Sequence, residues 1–211
     1  MAMNDPISAP AKHAPKARYV AGSGKALHRH VLVVLVNNQP GVLNRVSSMV
    51  RSRNFNIESL AVGHTERPDI SRMTVTLRGD DFAVEQMGKQ LYRLIDVLKV
   101  QDLPESGVVE HELALIKVRA TESTRGEILR IIELYKGRVL DVGPETVIIE
   151  HSGTEQEIDS LIALLGGFGI KEMVRTGTIA LGRGSGAIDL DAILRAGPEP
   201  VNIPARDTDT E

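Results

Sequence analysis

The segment at residues 37–41, Asn-Asn-Gln-Pro-Gly, combines residue types that could bind a small anion. It follows an aliphatic run and precedes apolar residues at helical spacing, so it lies at the predicted start of a helix. A helix start presents unpaired amide hydrogens and a partial positive charge, and Gly41 would let a ligand approach the backbone closely. Because an Asn side chain carries an acceptor and donors, Asn38 could also hold an ammonium group. The segment is therefore a candidate site for a zwitterionic amino acid.

The same segment has a simpler interpretation. Asn37 or Asn38 could be only the N-cap of the helix, and Gly41 only a turn glycine. In that case Pro40 lies in the first helical turn, where proline is well tolerated. Spacing alone favours this interpretation over a binding site.

A second polar segment follows the predicted first helix. Asn54 is suited to a left-handed C-cap and Phe55 to a hydrophobic plug behind it. Asn56 is then either a turn residue or a polar group near an interface.

The sequence offers little for catalysis or metal binding. Its six histidines do not cluster. His28 and His30 project to one face of a predicted strand, but no third ligand is evident. His111 lacks the second histidine that a zinc-protease helix requires. We therefore predict neither catalytic residues nor a metal site in this chain.

Composition excludes several partners. A net charge of -3 and 3% aromatic residues provide neither the basic field nor the stacking platforms that nucleic acid needs. The aliphatic run at residues 31–36 is too short to cross a bilayer. The chain has no cysteine, which fits a reducing compartment such as the cytoplasm. Residues 1–27 are basic and acid-poor, so a plastid transit segment is the alternative.

Both ends of the sequence are predicted to be tails. Residues 1–27 are rich in Ala, Pro, Ser and Lys, without the apolar stretch of a secretory signal, and are predicted to be disordered. Within them, residues 22–25 resemble the end of a phosphate-binding loop, but the earlier glycine and a preceding strand are missing. Residues 183–211 form a polar tail with a possible short helix at 188–195, which is either unstructured or binds a partner.

Between the tails, hydrophobic periodicity predicts the order strand, helix, strand, strand, helix, strand, and then the same order again. The strands are predicted at 30–36, 57–65, 72–77, 97–103, 110–118, 138–142, 146–151 and 170–181. The helices are predicted from about residue 40 and around 84–94, 124–135 and 158–165.

This order predicts an α+β fold of two ferredoxin-like (βαββαβ) domains. They span residues 28–103 and 110–182, with a linker at 104–109. A sheet of this type, covered on one face, leaves its other face or an edge strand available for pairing. Homodimerisation is the simplest way to cover it.

Several longer motifs go beyond periodicity. They are Val-Leu-Val-Asn-Asn-Gln-Pro-Gly-Val-Leu-Asn-Arg-Val at 34–46, Asn-Phe-Asn-Ile-Glu-Ser-Leu at 54–60, Ser-Arg-Met-Thr-Val at 71–75, Lys-Gln-Leu-Tyr-Arg-Leu-Ile-Asp-Val-Leu-Lys-Val at 89–100, Arg-Gly-Glu-Ile-Leu at 125–129, Gly-Arg-Val-Leu-Asp-Val at 137–142 and Arg-Thr-Gly-Thr-Ile-Ala-Leu-Gly-Arg-Gly at 175–184. With these motifs the sequence resembles the small, regulatory subunits of acetolactate synthase from about Leu32 to Leu181.

The resemblance implies that the first unit is an ACT domain and that the chain has no catalytic residues. Its partner would be a large catalytic subunit that carries thiamine diphosphate, magnesium and FAD. The small subunit would raise that subunit's activity and make it sensitive to valine or a related branched-chain amino acid. The implied effector site crosses the ACT dimer interface. Its residues would be Asn38, Gly41, Val42 and Leu43 of one chain with Asn56 and Ile57 of the other.

Three other functions are alternatives to a regulatory subunit. A free-standing tandem amino-acid sensor would keep the same pocket but regulate another protein. A nucleic-acid-binding ferredoxin-like module would need an aromatic signature that the sequence lacks. An autonomous enzyme would turn over substrate without a partner.

Overall fold

The computed structural model describes residues 27–104, 106–184, 188 and 190–196. The predicted tail at 1–27 lies outside them except for Leu27, as does most of the predicted tail at 183–211. The first unit consists of β1 (His28–Asn37), α1 (Val42–Ser52), β2 (Ile57–His64), β3 (Ile70–Gly79), α2 (Asp81–Leu91) and β4 (Val97–Leu103). The second consists of β5 (Val108–Arg119), α3 (Arg125–Leu134), β6 (Arg138–Val142), β7 (Thr146–Gly153), α4 (Glu155–Gly166), β8 (Ile170–Arg175) and β9 (Ile179–Gly182), and α5 (Leu190–Ala196) follows.

The first sheet is antiparallel, in the order β2-β3-β1-β4. On one face, Leu32, Val34 and Val36 of β1 pack with residues of α1 and α2. On the other face, which we call the back face, Val31 and Val33 enter a separate core. Because both faces of this central strand are covered, its sequence is a continuous aliphatic run rather than an alternation.

The second sheet has the order β6-β7-β5-β8, and β9 pairs with the beginning of β5. Ala114, Ile116 and Val118 of β5 are fully buried under α3 and α4, while the residues between them are only partly covered. This alternation is typical of a sheet with one covered face. Both units are ferredoxin-like, as predicted.

Several predicted boundaries differ from the structure, and three of the differences bear on the arrangement of the two units and the helix start. Helix α1 begins at Val42 and not at Pro40, because Gly41 has φ +82°, outside the helical region. Strand β5 begins at Val108, inside the predicted linker. The predicted strand at 170–181 is two strands, separated where Gly177 takes φ +81°. That turn directs β9 out of line with β8.

Strand β9 and helix α5 cover part of the back face of the first sheet. Ala180 is 4% exposed there, and Leu190 and Ile193 of α5 join the same core. The short helix predicted at 188–195 is therefore present as α5 and is anchored by apolar contacts. None of the helices in the described residues is long and apolar enough to cross a membrane.

Polar contacts also join the two units. The backbone N–H of Thr178 donates to Ser59 Oγ at 2.8 Å, and Arg72 Nη2 donates to the carbonyl oxygen of Ala180 at 2.8 Å. The motifs at 54–60 and 71–75 thus contact the motif at 175–184.

Candidate ligand-binding site

The start of α1 is open on its N-terminal side. Gly41 is the N-cap, and it has no side chain with which to cap the first amides. The first turn contains no acidic residue. Within the described part of the chain, the amides of Leu43 and Asn44 donate to no acceptor. These amides and the helix dipole form a site suited to a carboxylate.

Asn38 lies beside this helix start but does not cap it. Its Nδ2 donates to the carbonyl oxygen of Pro68 at 3.0 Å, and its backbone N–H donates to Asp69 at 2.8 Å. Its Oδ1 accepts no hydrogen bond from a described residue, so this oxygen is available to an ammonium group. The interpretation of Asn37 or Asn38 as the N-cap is wrong, because Gly41 occupies that position.

The turn that holds Asn38 is itself fixed by charge. Arg67 forms hydrogen bonds to Asp69 at 3.1 and 3.2 Å and reaches Asp191 of α5 at 3.0 Å. The hydrogen bond from Arg67 is the main cause that lowers the pKa of Asp69 below its ordinary value. The β2–β3 turn is thus tied both to Asn38 and to the C-terminal helix.

Arg45 is a site residue that sequence reasoning missed. Its Nε and Nη2 donate to Asp96 Oδ2 at 2.9 and 2.6 Å, while its Nη1 lies 3.3 Å from where a Cβ on Gly41 would be. The guanidinium therefore adds positive charge beside the free amides. The available signal was its spacing, since position 45 is one helical turn after Gly41.

The other four predicted residues differ in how far they are buried. Val42 is 3% exposed, so its side chain belongs to the core and only its backbone faces the site. Leu43 is 43% exposed and presents an apolar surface. Ile57 is half-buried against the first core, and Asn56 is exposed.

One chain does not bring the two halves of the predicted site together. Gly41 precedes α1, whereas Asn56 and Ile57 follow it, and an 11-residue helix is about 16 Å long. Strand β2 then runs back from Ile57 to His64, whose Nδ1 lies 3.4 Å from Asn38 Nδ2. Strand β2 is an edge strand of its sheet.

The described residues contain no group of His, Asp and Glu side chains arranged to hold a metal ion. The buried His30 contacts Asp102, with 2.7 Å from Nδ1 to Oδ2, and lies 3.3 Å from Asp81. The side chains of His30 and Asp102 are fully buried, whereas that of Asp81 is 45% exposed. We interpret this cluster as a structural contact.

Each of the two units matches a family model of its own. Residues 32–99 match the family model described as AHAS small subunit-like ACT domain, and residues 111–184 match that of the small subunit of acetolactate synthase. The chain is 49% identical over 158 residues to the acetolactate synthase small subunit of Aquifex aeolicus, covering 74% of this chain and 82% of the relative. It is 46% identical over 155 residues to that of Mycolicibacterium smegmatis, covering 74% and 91%. Its fold is similar to the crystal structure of the small subunit from Thermotoga maritima, with 38% identity, a TM-score of 0.71, and coverage of 75% of this chain and 99% of the other.

Proposed function

This chain belongs to the family of acetolactate synthase small subunits, and on that premise we propose that it is the non-catalytic regulatory subunit of an acetolactate synthase. It binds a large catalytic subunit that carries thiamine diphosphate, magnesium and FAD, and it raises that subunit's activity. It also makes the complex sensitive to valine or a related branched-chain amino acid. The complex works in the cytoplasm of a bacterium.

The observation that carries the effector part of this proposal is the open start of α1. The amides of Leu43 and Asn44 bind the carboxylate of the amino acid, with Arg45 beside them. The Oδ1 of Asn38 accepts from the ammonium group. Because the ligand is a zwitterion, opposite ends of the site match its two charges.

A second copy of the chain completes the site. If the edge strands β2 of two chains pair antiparallel about a two-fold axis, the beginning of one β2 lies opposite the end of the other. The partner's Ile57 is then next to His64 and Asn38 of the first chain. Asn56 of one chain thus joins the helix start of the other, and Leu43 with Ile57 provides the aliphatic wall.

Regulation requires two arrangements of the complex, one that activates the large subunit and one of low activity, which bind the amino acid with different affinities. The amino acid shifts the equilibrium only as far as it binds the low-activity arrangement more tightly than the activating one. Tight binding without such a preference would leave the activity unchanged. The pairing of the two β2 strands is suited to this regulation, because the affinity of a ligand that contacts both chains depends on their relative position.

Mixing the purified chain with the acetolactate synthase large subunit of the same organism tests the proposal. Acetolactate formation from pyruvate is measured with and without valine. We expect activation on mixing and a loss of that activity when valine is added. Absence of both binding and activation would contradict the proposal and leave a free-standing amino-acid sensor as the explanation for the same pocket.

A further inference from the structure

A second concave surface lies between the two units, away from the start of α1. It is a groove of about 490 Å³ between strand β2 and strand β9. Its walls include three exposed aliphatic side chains, Val62 at 47%, Ile179 at 58% and Leu181 at 63%. The volume falls within the range of about 300–1,000 Å³ that is common for small-molecule sites.

Arg72 provides a cation at this groove. Its Nη2 donates to the carbonyl oxygen of Ala180, but among the described residues no carboxylate forms an ion pair with it. Burial lowers the pKa of Arg72 below its ordinary value, and the charge of Glu66 opposes that shift only in part. A guanidinium has five N–H donors, so several remain for an anion. A partly desolvated cation with free donors favours a bound carboxylate.

The groove offers no negative charge to an ammonium group. The residues that line it include no Asp or Glu. The carbonyl oxygen of Ala180 is already used by Arg72. Strand β3 pairs with a strand on each side, so its carbonyl groups are used in the sheet. An α-amino acid would therefore bring its ammonium group here without a carboxylate to pair with it.

We propose that this groove binds an aliphatic monocarboxylate without an ammonium group. Its carboxylate lies on Arg72, and its hydrocarbon chain lies along Val62, Ile179 and Leu181. This site differs from the amino-acid site at the start of α1 in both position and chemistry, and its existence does not depend on that proposal.

The two sites are nevertheless adjacent through one side chain. His64 lines the groove, and its Nδ1 is 3.4 Å from Nδ2 of Asn38. An occupant of the groove can therefore change the position of Asn38. As a consequence that rests on the proposed function, the carboxylate and the amino acid should alter each other's affinity by the same factor.

Titration calorimetry with octanoate on the full-length chain tests the groove. We expect saturable binding of one octanoate per chain and no comparable binding of octylamine, which has the same hydrocarbon chain and the opposite charge. Arg72→Gln should weaken octanoate binding by at least about tenfold, because a hydrogen bond to a charged group is lost.

Arg72 also donates to Ala180, so a loss of binding in Arg72→Gln would have two explanations, a lost carboxylate contact or a disturbed fold. A second variant separates them. Leu181→Glu adds a negative charge to an exposed wall of the groove and should weaken octanoate binding by about tenfold or more. Leu134→Glu makes the same change at a 77% exposed position on α3, outside the groove, and should leave binding unchanged.

Several results would overturn the inference. They are no saturable octanoate binding by the wild-type chain, equal binding of octylamine, or equal losses in Leu181→Glu and Leu134→Glu. Gly41→Asp separates this inference from the proposed function. Octanoate binding should survive in that variant while the valine response is lost. Full valine inhibition in it would count against the amino-acid site and not against the groove.

Discussion

The two ferredoxin-like units have the same order of elements but differ at the start of their first helices. At α1, the N-cap is a glycine without a side-chain cap. At α3, the N-cap is Thr124, whose side chain also forms no capping hydrogen bond, but Glu127 adds a negative charge to the first turn. The negative charge of Glu127 therefore disfavours an anion at the equivalent position of the second unit. A repeated fold does not imply a repeated site.

Their last strands differ as well. In the first unit, β4 continues from Val97 to Leu103, whereas the corresponding segment of the second unit breaks at Gly177. The break lets Ala180 reach the back face of the first sheet. The second unit thus supplies cover for the first, and the reverse does not occur. This explains why β1 is buried on both faces and β5 on only one.

The largest effect is expected from closing the start of α1 with a charged side chain. Gly41→Asp should raise the valine concentration needed for half-inhibition of the reconstituted enzyme by at least about 100-fold, because like charges at one site cost several kcal/mol. Activation of the large subunit should remain largely intact. Both are measured in the acetolactate assay.

Gly41→Asn is the matched control for this change. Asn has the same shape as Asp without the charge and also tolerates positive φ. We expect it to weaken valine inhibition less than Gly41→Asp does. Full valine inhibition in the Asp variant would show that α1 is not the effector site, and the contrast with α3 would then be structural only.

The next effect tests the break in the last strand. A Cβ on Gly177 would lie 2.6 Å from Ser59 Oγ, and φ there is +81°. Gly177→Ala should lower the free energy of unfolding by about 2 kcal/mol, from backbone strain and the steric contact. Urea denaturation measures the difference.

Gly182→Ala serves as its control, because a Cβ there meets no atom within 4 Å and φ is not positive. That variant should differ little from wild type. If both alanine variants unfold at the same urea concentration, the contact between Gly177 and Ser59 does not hold the two units together.

The smallest effect concerns α4, whose start is closed by side chains. The backbone N–H of Thr154 donates to Glu157 Oε2 at 2.7 Å, and this is the main cause that lowers the pKa of Glu157 below its ordinary 4.5. Because the folded pKa is lowered, the stabilisation is present above the unfolded value and is lost as pH falls through the folded value. Glu157→Gln should therefore be less stable than wild type at about pH 7, with a smaller difference at about pH 3.

Urea denaturation of both proteins at the two pH values measures this difference. If the two proteins differed in free energy of unfolding by the same amount at both pH values, the charge of the carboxylate would not stabilise the start of α4. The contrast with α1 would then rest on the Thr154 hydroxyl alone.

Much of the fold could be predicted because its signals are local. Strand β4 was predicted at its observed bounds, since its apolar pattern ends at Pro104. The helix α1 was predicted to begin too early, because the positive φ of Gly41 leaves no trace in the hydrophobic pattern. The break at Gly177 was missed for a similar reason, since residues 179–181 continue an extended apolar pattern on its far side.

The site was predictable in part. The motif at 37–41 indicated a helix start that could bind an anion, although spacing favoured an Asn cap there, and resemblance to a family indicated which residues share the site. The partner of Asn38 could not be predicted, because Pro68 is 30 residues away and meets it only through the β2–β3 turn. The charge of Arg45 beside Gly41 depends on its anchoring by Asp96, 51 residues away.

The sequence alone determined the elements and their order in two units. These properties depend on residue spacing and on backbone preferences within a few positions. Only the tertiary structure decided that β9 covers the first sheet, that Arg72 faces an aliphatic groove, and that Asn38 contacts Pro68 instead of capping α1. Each depends on contacts between residues far apart in the chain, and such contacts form only when both packed units are in place.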